Sequence, residues 1–169
     1  MISLGIESTA HTFGVGIVSN NEGGCKILAN EKNAFTTEAG GIRPREAADS
    51  HIQNASTVLG NALEKAGLEI KDIDLIVGGP PCWGYSSIGH RRTFYTDKKN
   101  IGTNHLYNYM ADVIRNIKPK MFLFENVKGL ISAKWTKNGK KGEVLKDVQK
   151  SFLQLDNFSR DTAILHSKD

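Results

Sequence analysis

The stretch from Ile73 to Cys82 constrains this chain more tightly than any other. Ile73 to Val77 is a short, mostly apolar run that reads as a strand, and Gly78-Gly79 ends it while letting the backbone come close to a bound molecule. Pro80-Pro81 then fixes two φ angles and favours extended backbone, so Cys82 stands at the strand's mouth with little conformational freedom. Glycines and hydroxyl residues from Gly84 to Gly89 keep the following loop polar. Arg91 and Arg92 close it with two positive charges, which favour a thiolate if they fold back towards Cys82 and also suit phosphate contacts. A cysteine in a cytosolic protein is usually a packing residue. These neighbours mark Cys82 as part of a site instead.

The other periodicities say what kind of sheet surrounds that strand. Ile2 to Ser8 is short and apolar, Thr12 to Ser19 alternates around Val15 and Ile17, and the turn cluster Asn20 to Gly24 leads into Cys25 to Asn30. Two successive hairpins are the economical reading. Pro44 to Ala66 is a helix with Ala47, His51, Ala55, Val58 and Leu59 near helical spacing and Gly67 as its stop. Asn104 to Ile117 is a second helix, ended by Lys118-Pro119, and Met121 to Phe124 is a fully apolar strand. Lys134 to Lys141 is a basic loop, Gly142 to Leu155 a helix, and Thr162 to His166 a last short strand. The pattern predicts a single three-layer α/β domain over residues 1–169, in which two antiparallel hairpins join parallel strands in a mixed sheet with helices on both faces. Cys82 and Glu125 then both sit at carboxyl ends of strands, where open α/β sheets bind ligands.

Composition excludes several classes. No apolar run approaches the ~18 residues of a membrane span, and Met1 to Gly5 lacks the basic start of a signal peptide, so no membrane partner is expected. Cys25 and Cys82 show no Cys-x-x-Cys spacing, which argues against a zinc site or disulfide framework. No metal is expected, and the reducing cytoplasm is the default location. Charge is uneven: residues 1–76 hold 6 Lys+Arg against 10 Asp+Glu, net −4, and residues 77–169 hold 16 against 8, net +8. The second part carries the electrostatic footprint of a nucleic-acid binder, and the first does not.

Gly78-Gly79-Pro80-Pro81-Cys82, the aromatic-Ser pair Tyr85-Ser86 and Gly89-His90-Arg91-Arg92 together resemble the catalytic loop of the DNA (cytosine-5) methyltransferases. The resemblance continues through Lys118 to Leu130, where Glu125-Asn126-Val127 is similar to that family's Glu-Asn-Val motif in order and distance. Trp83 departs from it, standing where the family most often has Gln. The resemblance implies methyl transfer from S-adenosylmethionine to cytosine C5. Cys82 would add to C6 as a thiolate and make C5 enamine-like. Glu125, protonated, would donate to N3, Asn126 would orient the loop, and the Pro80 carbonyl would receive the exocyclic amino group. The target base must leave duplex DNA, which calls for contacts to the strand around it, with Arg91, Arg92, Lys98 and Lys99 as candidates. His90, His105 and His166 read as surface or packing residues.

Leu4 to Val18 and Thr36 to Asp49 resemble a different family, the archaeal-type enzyme that makes threonylcarbamoyladenosine in tRNA, and this resemblance covers residues 1–76. It implies an actin-like ATPase fold, with Ser8, Thr9 and Ala10 as a nucleotide-phosphate turn and ATP or tRNA as partner. That family's His-x-x-x-His metal motif and second glycine-rich loop have no counterpart here. Two resemblances that meet at Asp72 to Ile76 imply a fusion of parts 1–76 and 77–169, a Rossmann-like and ribonuclease-H-like hybrid whose sheet has an order near 3-2-1-4-5, since both parent folds set strand 1 beside strand 4. Three functions are in play: cytosine-5 methylation, nucleotide or tRNA binding, and a folded chimera without activity. The Phe-x-Gly-x-Gly segment by which the methyltransferases hold S-adenosylmethionine is replaced, and their arginine-rich and target-recognition motifs would follow Asp169. Little or no methyl transfer is therefore expected from this chain alone.

Overall fold

The computed structural model describes residues 1–9, 11–38, 40, 43–80, 98–100 and 102–155. Strands β1 (Ile2–Ser8), β2 (Thr12–Asn21) and β3 (Gly24–Ala34) form an antiparallel meander, followed by helix α1 (Pro44–Ala66). Strand β4 (Leu75–Gly78) pairs parallel to β1, and β5 (Met121–Phe124) pairs parallel to β4. Helix α2 (Tyr107–Ile117) connects these two strands, and α3 (Glu143–Leu153) follows β5. The product is an α/β fold around a mixed five-stranded sheet of order β3-β2-β1-β4-β5, as the sequence predicts.

Local chemistry explains the boundaries. Helix α1 spans the expected residues, with proline in its first turn and Gly67 in the left-handed region (φ 66°) at its end. The Gly67 and Leu68 amides donate back to Glu64 and Leu63 carbonyls, which closes the helix. Strand β3 runs on past Asn30 to Ala34: Glu31, Lys32 and Asn33 give no apolar signal, but their backbone pairs with Val15, Gly14 and Phe13 of β2. Helix α2 begins three residues later than predicted, because Gly102–His105 winds as a tighter 3-10 turn. Gly142 is not the first residue of α3. It sits at φ 80° before the helix, and a Cβ there would press on the Ile131 carbonyl at 3.2 Å. The expected strand Thr162 to His166 lies outside the described residues.

Strand register places the core. Leu4 lies opposite both Ile17 and Ile76, and Ile76 lies opposite Phe122, so these side chains share one face of the sheet. Leu4, Ile17, Ala29 and Ile76 are buried there with Val58 and Ala62 of α1. On the same face Phe152 of α3 packs its ring against Phe122 and Phe124 at 5.0 and 5.3 Å, and Met110 of α2 lies over Gly78. All three described helices cover this face. The opposite side of β5 presents Met121 and Leu123, 56% and 46% exposed. A helix layer on that second face, part of the three-layer expectation, is not among the described residues.

One carboxylate joins the meander to the parallel strands. Asp74, at the start of β4, exchanges backbone hydrogen bonds with Ile2 and Met121: its amide donates to the Ile2 carbonyl at 2.9 Å and its carbonyl accepts from the Met121 amide at 3.0 Å. Its side chain accepts the Ile2 amide at 2.7 Å and pairs with the Lys120 ammonium at 2.6 Å. The Lys120 contact, then the Ile2 amide, hold the Asp74 carboxyl below its usual value of 3.8. A carboxyl whose value is lowered on folding stabilises the protein above its unfolded value and loses that contribution as pH falls through the folded one. Asp74→Ala is expected to lower unfolding free energy by about 1–3 kcal/mol at neutral pH, since it strands the Ile2 amide. In urea titrations the gap between variant and parent should stay constant down to about pH 5 and narrow as pH falls below 3.8.

Candidate functional site

Because β1, β4 and β5 are parallel, their carboxyl ends share one edge of the sheet. Ile6 pairs with Gly78 and Gly78 with Phe124, so the segments beyond them emerge side by side, about 4.8 Å apart per strand. They are Ser8-Thr9 from β1, Gly79-Pro80 from β4, and Glu125-Asn126 from β5. The described candidate residues of the two resemblances, Ser8 and Thr9 of one and Pro80, Glu125 and Asn126 of the other, therefore lie along one edge.

Close approach at Gly79 is what brings the β4 and β5 ends into contact. The Glu125 amide donates to the Gly78 carbonyl at 3.0 Å, extending the ladder by one bond. A Cβ added at Gly79 would stand 2.7 Å from Glu125 Oε2 and 3.3 Å from its carbonyl oxygen. Only a glycine leaves the carboxylate this position, at an exposed point on the sheet edge. Asn126 completes the clamp: its Nδ2 donates to the Pro80 carbonyl at 3.1 Å, and its Oδ1 accepts the Val127 amide at 3.0 Å. The amide side chain is thus held at both ends and fixes the backbone two residues before Cys82. The Pro80 carbonyl keeps a second lone pair for another donor.

Behind the clamp lies a small cavity of about 10 Å³, room for one water, lined by Pro80, Asn104, Tyr107, Phe124, Asn126 and Leu130 among others. Asn104 is only 2% exposed. Burial, then the nearby negative charge of Asp147, push the Tyr107 phenol above its usual value. In the sequence Asn104 and Tyr107 look like ordinary helix residues. Their only signal there is a polar side chain at the start of an apolar helix stripe.

The basic candidates are only partly placed. Lys99 is exposed in the short turn Lys98–Asn100, and its carbonyl accepts from His105 Nε2 at 2.8 Å. His105 stacks on Trp135 with ring centroids 4.9 Å apart, a packing role as expected. Of Lys98 only the backbone is described. Cys82, Arg91 and Arg92 lie outside the described residues, as does Ala10.

At the end of β1 the chain turns straight back into β2. Both the Thr9 amide and its hydroxyl donate to the Thr12 carbonyl, at 2.9 and 3.2 Å, and the Thr9 carbonyl accepts from His51 Nε2 at 3.0 Å. The turn is closed on itself and backed by α1. S-adenosylmethionine would need loop amides and a glycine pair at the end of such a strand, and the described residues there do not fit it.

Comparison with known proteins finds both resemblances. A tRNA N6-adenosine threonylcarbamoyltransferase of Nanoarchaeum equitans is 43% identical over 129 residues, covering 72% of this chain and 40% of the relative. A protein of the same description from Caldivirga maquilingensis is 53% identical over 77 residues, covering 45% of this chain and 22% of the relative. The chain thus spans about two-fifths or less of the length of these curated relatives. Among solved structures, YeaZ from Pseudomonas aeruginosa aligns over 77% of this chain and 45% of its own, with a TM-score of 0.40 and 12% identity. The model of the family described as C-5 cytosine-specific DNA methylase matches residues 23–169, reaching upstream of Val77, where the resemblance to that family begins in the sequence. With most of its length matched in this way, the chain belongs to the C-5 cytosine-specific DNA methylase family.

Proposed function

We propose that this chain carries the cytosine-activating half of DNA (cytosine-5) methyl transfer, with Cys82 as nucleophile and Glu125 as proton donor to N3. The observation that carries the reading is the clamp at the sheet edge. Asn126 on the Pro80 carbonyl fixes the chain entering the cysteine segment, and Gly79 lets the Glu125 carboxylate lie against that same segment. The Glu125 carboxyl and the backbone entering the cysteine segment at Pro80 are thereby held against each other, which supports the positioning that a covalent addition needs.

The chemistry follows from that placement. A flipped cytosine enters the edge beside Gly79, and the Cys82 thiolate forms a bond to C6. Electron density moves through the ring, N3 takes the proton of the Glu125 carboxyl, and C5 becomes enamine-like. The second lone pair of the Pro80 carbonyl receives the exocyclic amino group. In this family's chemistry S-adenosylmethionine supplies the methyl group. The closed turn after β1 does not fit it, so this chain alone transfers little or no methyl, and duplex DNA is the partner that its own residues address.

A second reading rests on the threonylcarbamoyltransferase relatives, which would make Ser8, Thr9 and Ala10 a nucleotide-phosphate turn with ATP or tRNA as partner. The engagement of the Thr9 amide and hydroxyl with Thr12 weighs against it. A folded chimera without activity is the third reading.

Three measurements separate these. Duplexes randomised around a single 2-pyrimidinone, a cytosine analogue without the amino group and more electrophilic at C6, should give a denaturation-resistant adduct with the protein. The adduct should vanish in Cys82→Ala and form at least roughly 10²-fold more slowly in Glu125→Gln. No adduct, or one that persists without Cys82, would overturn the proposal. In Gly79→Ala the new methyl displaces a flexible carboxylate end, so melting should change little while adduct formation slows by about 10²-fold. Neither S-adenosylmethionine nor ATP should raise the melting temperature; ATP stabilisation that Ser8→Ala removes would favour the second reading.

A further inference from the structure

The loop between β5 and α3 has a construction that the methylation chemistry does not require. Residues 134–141 contain Lys134, Lys137, Lys140 and Lys141 and no acidic residue. The loop is closed at its base, where the Gly142 amide donates to the Ala133 carbonyl at 3.2 Å, and it bends through a Gly139 amide bond to the Thr136 carbonyl at 3.1 Å. Two carboxylates from α3 stand beneath it, and both bind the loop's frame. Glu143 accepts the Trp135 amide at 2.5 Å and the Lys140 amide at 3.0 Å, and Asp147 accepts the Trp135 indole N–H at 2.7 Å. Gly139 has no side chain because a Cβ there would collide with the Glu143 carboxylate.

The consequence is an arrangement of charge. The two carboxylates beneath the loop bind backbone and indole, Asp147 pairing with Lys150 as well, and all four loop lysines are exposed. Among the described residues none of the four lies within ion-pairing distance of a carboxylate. The frame also fixes where the charges stand. Trp135, 6% exposed, stacks on His105, which in turn holds the Lys99 carbonyl, so the loop abuts the turn that carries Lys99. Leu130, just upstream, lines the cavity behind Pro80 and Asn126. A pinned loop of exposed lysines, unpaired among the described residues and adjoining the turn that carries Lys99, matches the charge of a phosphate backbone.

We infer that Lys134, Lys137, Lys140 and Lys141 form a second contact with the phosphates of duplex DNA, flanking the cytosine site and held in register by Trp135. The inference rests on the DNA reading above and adds a surface to it. Such contacts position the duplex without reading its sequence, so they act on affinity and salt dependence, not on target choice.

The test is fluorescence anisotropy of a labelled duplex of mixed sequence, titrated with the full chain over a range of salt concentrations. The combined variant Lys134→Gln, Lys137→Gln, Lys140→Gln and Lys141→Gln should bind at least tenfold more weakly at low salt. Its slope of log K against log salt should be shallower by roughly 2–4, about 0.9 for each phosphate that no longer meets a lysine. Lys137→Gln alone should lower the slope by about 0.9, which keeps the test intact if the combined variant folds poorly. Lys26→Gln with Lys32→Gln, on β3, should match the parent. If the parent binds duplex DNA and the loop variants keep its slope, the inference is overturned while the adduct experiment still stands for the methylation reading. If the parent binds no duplex DNA, the inference and that reading fall together. If the parent prefers tRNA to duplex DNA and the loop variants lose that binding, DNA is the wrong occupant.

Discussion

Everything at the sheet edge depends on Asp74 at the opposite end of the same strands. A four-residue strand such as β4 has few ladder bonds of its own, and here it must be parallel to neighbours on both sides. Asp74 adds bonds at the one point where all three strands begin: backbone to Ile2 and Met121, carboxylate to the Ile2 amide and the Lys120 ammonium. Because register in a sheet is set pair by pair, holding Ile2 and Met121 against Asp74 also holds Ile6, Gly78 and Phe124 level at the far end. A slip of one residue there would turn Glu125 to the other face.

The same residue lies in a stretch that both family matches cover, and its bonds give a physical account of how strands of either resemblance share one sheet. Strands from unlike proteins are compatible where both offer a short apolar strand preceded by a carboxylate, since a ladder reads backbone and not side-chain identity. The buried side chains follow suit. Leu4, Ile76 and Phe122 come from different parts of the chain yet fall on one face and share one layer of helices.

Strand-end chemistry was legible wherever residue type alone limits the backbone. Gly78-Gly79 before two prolines announced the end of β4, Gly67 announced the end of α1, and Met121 to Phe124 was an apolar run too short for a helix. The extension of β3 past Asn30 was not legible, because Glu31 to Asn33 join the strand through pairing and carry no apolar signal of their own. Nor was the late start of α2, where Asn104 is drawn into the interior behind Pro80. Nothing in the expected helix Gly142 to Leu155 singled out Glu143 and Asp147, which are the supports of a loop.

By itself the sequence determined most element positions and the Glu-Asn-Val segment at the end of β5, because these rest on periodicity, on glycine and proline, and on motif residues, all local along the chain, while the sheet order followed from the resemblance to two folds that both set strand 1 beside strand 4. Tertiary structure alone decided which groups touch. That Gly79 is small for the sake of Glu125, that Asn126 holds the Pro80 carbonyl, and that Thr9 spends its donors on Thr12 are facts of through-space distance. Distances between residues tens of positions apart follow from register and packing, and no local pattern encodes them.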